Sequence, residues 1–329
     1  PLPGALVTLR NSYRSYMGVR GILITRAGKD ARYTLYGIPL VTYTYEWLRR
    51  PLKLWAYILN QQGTIAFTLD ARREHDYPTQ FMMTTVKRED PLVLFECTPL
   101  EIHGLIDPHL YISYKYATVL DAYNHGEPRR YALDLPEKPP VPETQSEDSA
   151  ILFLIPGSKV KFLAGMIPGE SRAILTHSTP ENEEGEGYDL QKASEVFRNP
   201  SLFIARDVWA LNEARRQTLR RYGIVFSSVD LLQESARQEI AKAESALKTL
   251  HYTEAESHAR AAWGYALRAH PILSQSIQEV LYGLLFYLAL ALPFSFFLSR
   301  LLTSAQHLVH QILYATACFI LVFFTLRLL

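Results

Sequence analysis

The sequence predicts a multidomain membrane protein with an N-terminal antiparallel β-sandwich region, a helical hairpin stalk and a C-terminal two-helix transmembrane hairpin. Three observations predict it. Apolar residues alternate with polar ones over the first 134 residues, the signature of half-buried strands. From about residue 201 the apolar spacing becomes helical. The last fifty residues then hold two apolar runs without Asp, Glu, Lys or Arg, Val280–Leu298 and Leu308–Leu326. Each run is close to the ~20 residues a helix needs to cross a bilayer.

The β region, residues 1–134, is expected to form one or two small sandwiches. Ile65, Phe67 and Leu69 alternate with Thr64, Ala66 and Thr68, and Val41, Tyr43 and Tyr45 with Thr42, Thr44 and Glu46. A third strand is expected over Leu110, Ile112, Tyr114 and Tyr116. Turn residues separate these runs at Gly37-Ile38-Pro39, Asn60–Gly63, Asp107-Pro108 and Asn124–Pro128. Residues 135–149, LPEKPPVPETQSEDS, read as a proline-rich linker unable to bury a core.

Residues 150–200 read as a small β and loop segment with candidate strands at Ile151–Ile155, Lys159–Leu163 and Ala173–Thr176. An acidic loop, Pro180–Gly187, lacks the Asp-x-Asp-x-Asp-Gly spacing of a calcium loop and reads as solvated.

Residues 201–270 are the stalk. Ile204, Val208, Leu211, Leu219 and Tyr222 share one helix face, and Gly223 is the expected C-cap. The basic group Arg215, Arg216, Arg220 and Arg221 suits the negative end of that helix. Capping boxes are expected at Ser227 with Asp230 and at Thr253 with Glu256. Val229, Leu232, Ala236, Ala243, Leu247 and Leu250 form one seam, and Ala255, Ala259, Ala262, Ala266 and Ala269 form another. Small residues at that spacing let two backbones approach, so an antiparallel hairpin turning at Leu250–Tyr252 is expected. ALKTLHYTEAESHARAAW looks like one tetratricopeptide unit without a second copy.

Residues 271–329 carry the membrane hairpin, with spans at about 280–298 and 308–326 joined by a short connection near Ser299–His307. Pro293 is expected to kink the first span and to mark packing against other helices. Neither span has a GxxxG pair or an internal Asp, Glu, Lys or Arg, which speaks against a self-sufficient ion pathway.

Composition narrows the function. The 329 residues carry a net charge of +1, which argues against a nucleic-acid binder. Cys97 and Cys318 make no disulfide framework. The opening Pro1–Ala5 has no initiator Met, so targeting information upstream is expected to be missing. Phosphate-loop, HExxH, CxxC and GxSxG patterns are absent. His75, Asp76 and His103 are isolated beside turns and read as surface residues. No catalytic residue, cofactor or metal is therefore expected. The residues carrying the expected role are structural: Val229, Leu232, Ala255, Ala259, Ala262, Ala266 and Pro293.

Several stretches resemble bacterial membrane proteins with carboxypeptidase-regulatory-like β domains and an FtsX/MacB-like permease region. They are PLPGALVTLR, VLDAYNHGEPRRYALDLPEKPPVP, ILTHSTPENEEGEGY, ARDVWALNEARRQTLRRYGI, and the run from ARAAWGYALRAHP to FSFFLSRLL. The resemblance implies an extracytoplasmic soluble region and further spans after residue 329. Counting Arg260, Arg268 and Arg327 against Arg300 leans the other way, toward a cytoplasmic soluble part. The chain departs from the full pattern: it shows no span before the β domain, fewer spans than a permease and no nucleotide-binding domain. The expected function is a non-catalytic, membrane-anchored scaffold or accessory subunit of a cell-envelope complex. Its partners are the lipid bilayer and other membrane subunits, not nucleic acid, and no small-molecule ligand is specified. Two alternatives stand beside it: a component of a permease-type transport system, and an envelope module binding glycan or peptide.

Overall fold

The computed structural model describes residues 2–14, 20–38, 52–70, 80–81, 87–89, 91–114, 116–134, 150–189, 199–303 and 308–328. The expected strand at Val41–Tyr45, the linker 135–149, the pair His75-Asp76 and residues 304–307 of the expected connection lie outside these residues.

Alternation along the chain builds three antiparallel sheets among the described residues. Strands β1 (Leu6–Arg14), β2 (Arg20–Arg26), β3 (Leu52–Leu59), β4 (Ile65–Leu69), β5 (Gln80–Phe81) and β6 (Leu94–Glu96) form the first, in the order β2-β1-β3-β4-β6 with β5 also on β3. On β3, Leu54 and Ala56 join Val7 and Leu9 in one cluster, while Trp55 turns to the other face with Leu69 and Phe95. Both faces of this sheet are therefore apolar, and the second meets Ala132 and Phe153 of the next sheet. The Trp55 and Phe153 rings lie 6.1 Å apart. Beside them Lys53 Nζ donates to Asp134 at 2.8 Å and lies over the Trp55 ring.

The chain passes between sheets at Cys97, whose N–H donates to Ala66 at 2.9 Å. Strands β7 (Thr98–Ile102), β8 (Tyr116–Asp121), β9 (Tyr131–Asp134), β10 (Ala150–Leu154), β11 (Lys159–Gly165), β12 (Ala173–Leu175) and β13 (Tyr188–Asp189) follow. The second sheet is β7-β10-β9; in the third, β11 pairs with β8 along one edge and with β12 and β13 along the other. The strand expected at Leu110–Tyr116 begins only at Tyr116. Asp107 Oδ1 accepts the N–H groups of His109 and Leu110, and Tyr111 takes a left-handed φ of 53°, so the chain turns there instead.

Four helices follow among the described residues: α1 (Pro200–Arg221), α2 (Ser227–Lys248), α3 (Tyr252–Leu302) and α4 (Leu308–Leu328). The helical region expected to stand apart as a stalk shares its core with the sheets. Ile204, Ala205, Val208 and Leu211 of α1, Ala236 of α2, and Ala262, Trp263 and Ala266 of α3 join Leu152, Phe162 and Leu175 in one cluster. Polar bonds tie the helices together. Trp209 and Gln233 bond each other's backbone carbonyls, Asn212 donates to Ala266 at 2.8 Å, and Ser201 donates to Glu256.

The helix ends depart from the expected boxes. Phe226 is the N-cap of α2 without a side-chain cap bond, and Ser227 is already helical. Thr253 lies inside α3, and Glu256 bonds Ser201 and Arg260 instead. The Glu256 carboxylate thus serves contacts between and along helices. The end of α1 does follow its sequence signal: Gly223 has φ 75°, its N–H donates to Arg220, and Ile224 donates to Leu219, a Schellman arrangement.

The chain divides into two compact units, Pro1–Ala214 with Phe226–Arg268, and Arg215–Val225 with Ala269–Leu329. The first holds the sheets and most of the helical layer. In the second, Arg215 donates to Ser274 at 2.7 Å, and burial next to Arg215 depresses the His270 imidazole to about 4. One helix among the described residues, α3, is long and apolar enough to cross a membrane; its apolar window has a mean hydropathy of 2.0 and is 11 % buried. The second apolar helix, α4, runs over Leu308–Leu328.

Candidate functional site

Chemistry-bearing side chains gather where the loop after β12 folds back over the third sheet. Asp207 lies on α1 among Ile204, Val208 and Leu211, and all four are buried. Its Oδ2 accepts the N–H of Thr176 at 2.7 Å, the N–H of His177 at 2.8 Å and the Tyr188 hydroxyl at 3.0 Å. Burial pushes this carboxyl up to about 6, while the three donors pull it back. Burial, with the neighbouring Asp207 carboxylate adding, raises the Tyr188 phenol far above its ordinary range.

Asp207 fixes a strained loop. His177 has φ 56°, a region costly for a residue with a Cβ, and its ring stacks on Tyr188 with centroids 5.1 Å apart. Gly187 donates to Thr176 O at 2.9 Å. A Cβ on Gly185 would fall 2.1 Å from the same carbonyl, so only glycine allows this close return. The acidic loop is thus folded tightly, with the side chains of Glu181, Glu183, Glu184 and Glu186 in solvent.

Two hydroxyls complete the corner. Ser178 Oγ donates to Glu183 O at 3.0 Å, so in the 2.6 Å pair it is Thr176 Oγ1 that donates to Ser178 Oγ. A hydroxyl activated for attack would instead donate to a base. Here both protons serve the loop. The arrangement positions backbone and presents an exposed imidazole; it does not assemble a nucleophile with its base.

A second buried polar group lies in the same unit. Asp107 Oδ2 accepts the Tyr114 hydroxyl at 3.2 Å and lies 2.7 Å from Arg172 Nε, an ion pair whose N–H is off line for a hydrogen bond. Arg172 O accepts the indole N–H of Trp263, and the Trp263 and Tyr114 rings are 6.0 Å apart. His109 packs at Gly264 of α3, and burial followed by Arg268 lowers its imidazole. This group pins the hairpin tip Leu110–Ile112 and ties the loop to the helical layer.

The residues singled out from the sequence fall as follows. Val229, Ala255, Ala259, Ala262 and Ala266 are buried, and Leu232 is half-buried. Ala259 meets Leu202 and Ala243, whereas Ala262 and Ala266 face the sheet core. Pro293 stands in the exposed apolar length of α3. His103 is exposed, 3.4 Å from Glu101. Among the described residues no group of three or more His, Cys, Asp or Glu is placed to hold a metal ion. Sequence reasoning missed Asp207, Tyr188 and His177. One signal was present: position 207 lies three residues after Ile204 and four before Leu211, so a carboxylate stood on the apolar face of its helix.

No family model matches the chain, and neither a curated protein nor a solved structure matches it.

Proposed function

We propose that the chain is a non-catalytic, membrane-anchored scaffold or accessory subunit of a larger membrane complex. The observation that carries the reading is α3. In one helix of 51 residues, Ala262, Trp263 and Ala266 enter the sheet core, while the later turns present Leu284, Phe286, Leu288 and Phe294 bare. Exposed apolar side chains in such numbers call for a nonaqueous surrounding, since each buried leucine or phenylalanine is worth roughly 1.5–3 kcal/mol. The candidate corner adds support, because its carboxylate and hydroxyls are spent on holding a loop.

Alkaline carbonate extraction tests the anchor. The protein is expected to stay with the membrane pellet, and the double substitution Leu284→Lys with Leu288→Lys is expected to move it to the supernatant. Release of the unaltered protein would overturn the reading. Sidedness follows from Tyr36→Cys in a Cys318→Ser background, labelled with an impermeant maleimide in intact and lysed cells. Cys97 adds no background, because burial pushes its thiol up to about 12.

A second reading, an envelope module binding glycan or peptide, is favoured by Tyr36, Tyr111 and Tyr123, which are 84 %, 76 % and 78 % exposed. Aromatic rings held in solvent serve as stacking platforms. Ligand-dependent quenching of tyrosine fluorescence, lost in the triple alanine variant, would favour it over the scaffold.

A further inference from the structure

Lys161 is a lysine without access to water. Its neighbours Val160 and Phe162 enter the core, so alternation along β11 sends Lys161 to the opposite face. A lysine there should reach solvent, yet Lys161 is 2 % exposed. The turn after β8 closes over it: Ala122 N–H donates to Lys159 O at 3.1 Å, and His125 brings Nδ1 to 3.2 Å from Lys161 Nζ. An ammonium has only protons to give, so His125 Nδ1 accepts and the ring proton sits on Nε2. That nitrogen faces Glu184 Oε2 at 3.5 Å.

We infer that His125 is a pH-operated latch over Lys161: a second proton on its imidazole breaks the Lys161 contact, swings the ring outward and opens the buried amine to solvent. A doubly protonated imidazole has no lone pair, so Nδ1–H would confront the ammonium and two cations would stand 3.2 Å apart. Among the described residues, His125 Nδ1 is the hydrogen-bond acceptor that Lys161 Nζ reaches. A buried charge stripped of its acceptor is costly and draws in water.

The surrounding charges decide the direction of motion. From the acidic loop Glu184 faces His125, and from β11 Lys161 faces it; within its own turn Asp121 is already engaged by the N–H groups of Tyr123 and Asn124. Lys159 borders the turn through its carbonyl. The His125 and Glu184 side chains are 50 % and 78 % exposed, so solvent screens their contact and the ring leaves without being held. The turn itself stays closed. His125 N donates to Asp121 O, Asp121 N to Gly126 O, and Gly126 N to Asn124 Oδ1. The moving part is thus one side chain, on a residue whose φ of 56° already carries strain. Burial, opposed by Glu184, lowers the Lys161 amine, in keeping with an ammonium that gains from opening.

The test is hydroxyl-radical footprinting of the full chain in phosphatidylcholine nanodiscs at about pH 7.5 and about pH 5. Oxidation of Lys161 is expected to rise about threefold or more at the lower pH, as a mostly closed latch becomes mostly open. In His125→Gln the side-chain carbonyl accepts from Lys161 at both pH values, and the rise is expected to vanish. His125→Phe, without an acceptor, is expected to leave Lys161 oxidised to the open level at both. An unchanged Lys161 signal in the unaltered protein, or the same pH response in His125→Gln, would overturn the latch.

Discussion

At the scale of single residues, the chain spends polar atoms on backbone geometry. Asp207 is the clearest case, one oxygen receiving the N–H groups of Thr176 and His177, 31 and 30 residues earlier, and the hydroxyl of Tyr188, 19 residues earlier. Its folded value of about 6 exceeds the ordinary 3.8, so the native state holds this proton more tightly than the unfolded chain. The stability from that difference is fully present below about pH 4 and is lost as pH rises through 6. Asp207→Asn removes the group from titration. Subtracting denaturation curves of the variant from those of the unaltered protein is expected to leave a decline on the order of 3 kcal/mol across this window. A flat difference would show that Asp207 titrates alike in both states. Gly185 tests the same loop from the other side. Gly185→Ala places a methyl against Thr176 O at a φ of 72°, and calorimetry should find a loss of roughly 1–3 kcal/mol.

At the scale of elements, the helices obey their spacing more closely than their caps. The alanine seam of α3 is buried from Ala255 to Ala269 because steps of three and four keep one face inward. The capping boxes are absent because a local pattern competes with partners the pattern does not contain: Glu256 finds Ser201, fifty-five residues earlier. Likewise Leu110–Tyr116 has strand alternation, but Asp107 turns it. Ala262 has no exposed surface and meets Trp263 and the sheet core. Ala262→Glu is expected to cost roughly 4 kcal/mol or more by burying an unpaired carboxylate. Limited proteolysis should then cleave within α2 or α3, and an unaltered digestion pattern would refute the packing.

At the scale of the whole molecule, each compact unit has its own character. The sheet-and-helix unit buries apolar surface inside itself, whereas the apolar length of α3 leaves its side chains bare. That contrast predicts opposite responses to solvent: removing detergent should aggregate the full chain, and Leu284→Lys with Leu288→Lys should lessen this. Equal solubility with and without detergent would argue against a membrane-seated helix.

Much of this was legible in the sequence, and the reason is local. Period two at Ile65–Leu69, helical spacing after residue 200, Gly223 as a cap and an uncharged apolar run each depend on neighbours a few residues apart. The pairing of the sheets, the helical layer that closes the second and third, and the corner around Asp207 depend in large part on residues distant in sequence. Trp263 meets Arg172, ninety-one residues away, and Tyr188 meets Asp207 across nineteen. Periodicity carries no record of such partners. By itself the sequence determined the helical segments, strands such as Ile65–Leu69 and the long apolar run of α3, since those follow from spacing and from the transfer of side chains out of water. Only the tertiary structure decided what the buried polar groups do, because a carboxylate, a lysine or an imidazole takes its role from the donors and acceptors that folding brings to it.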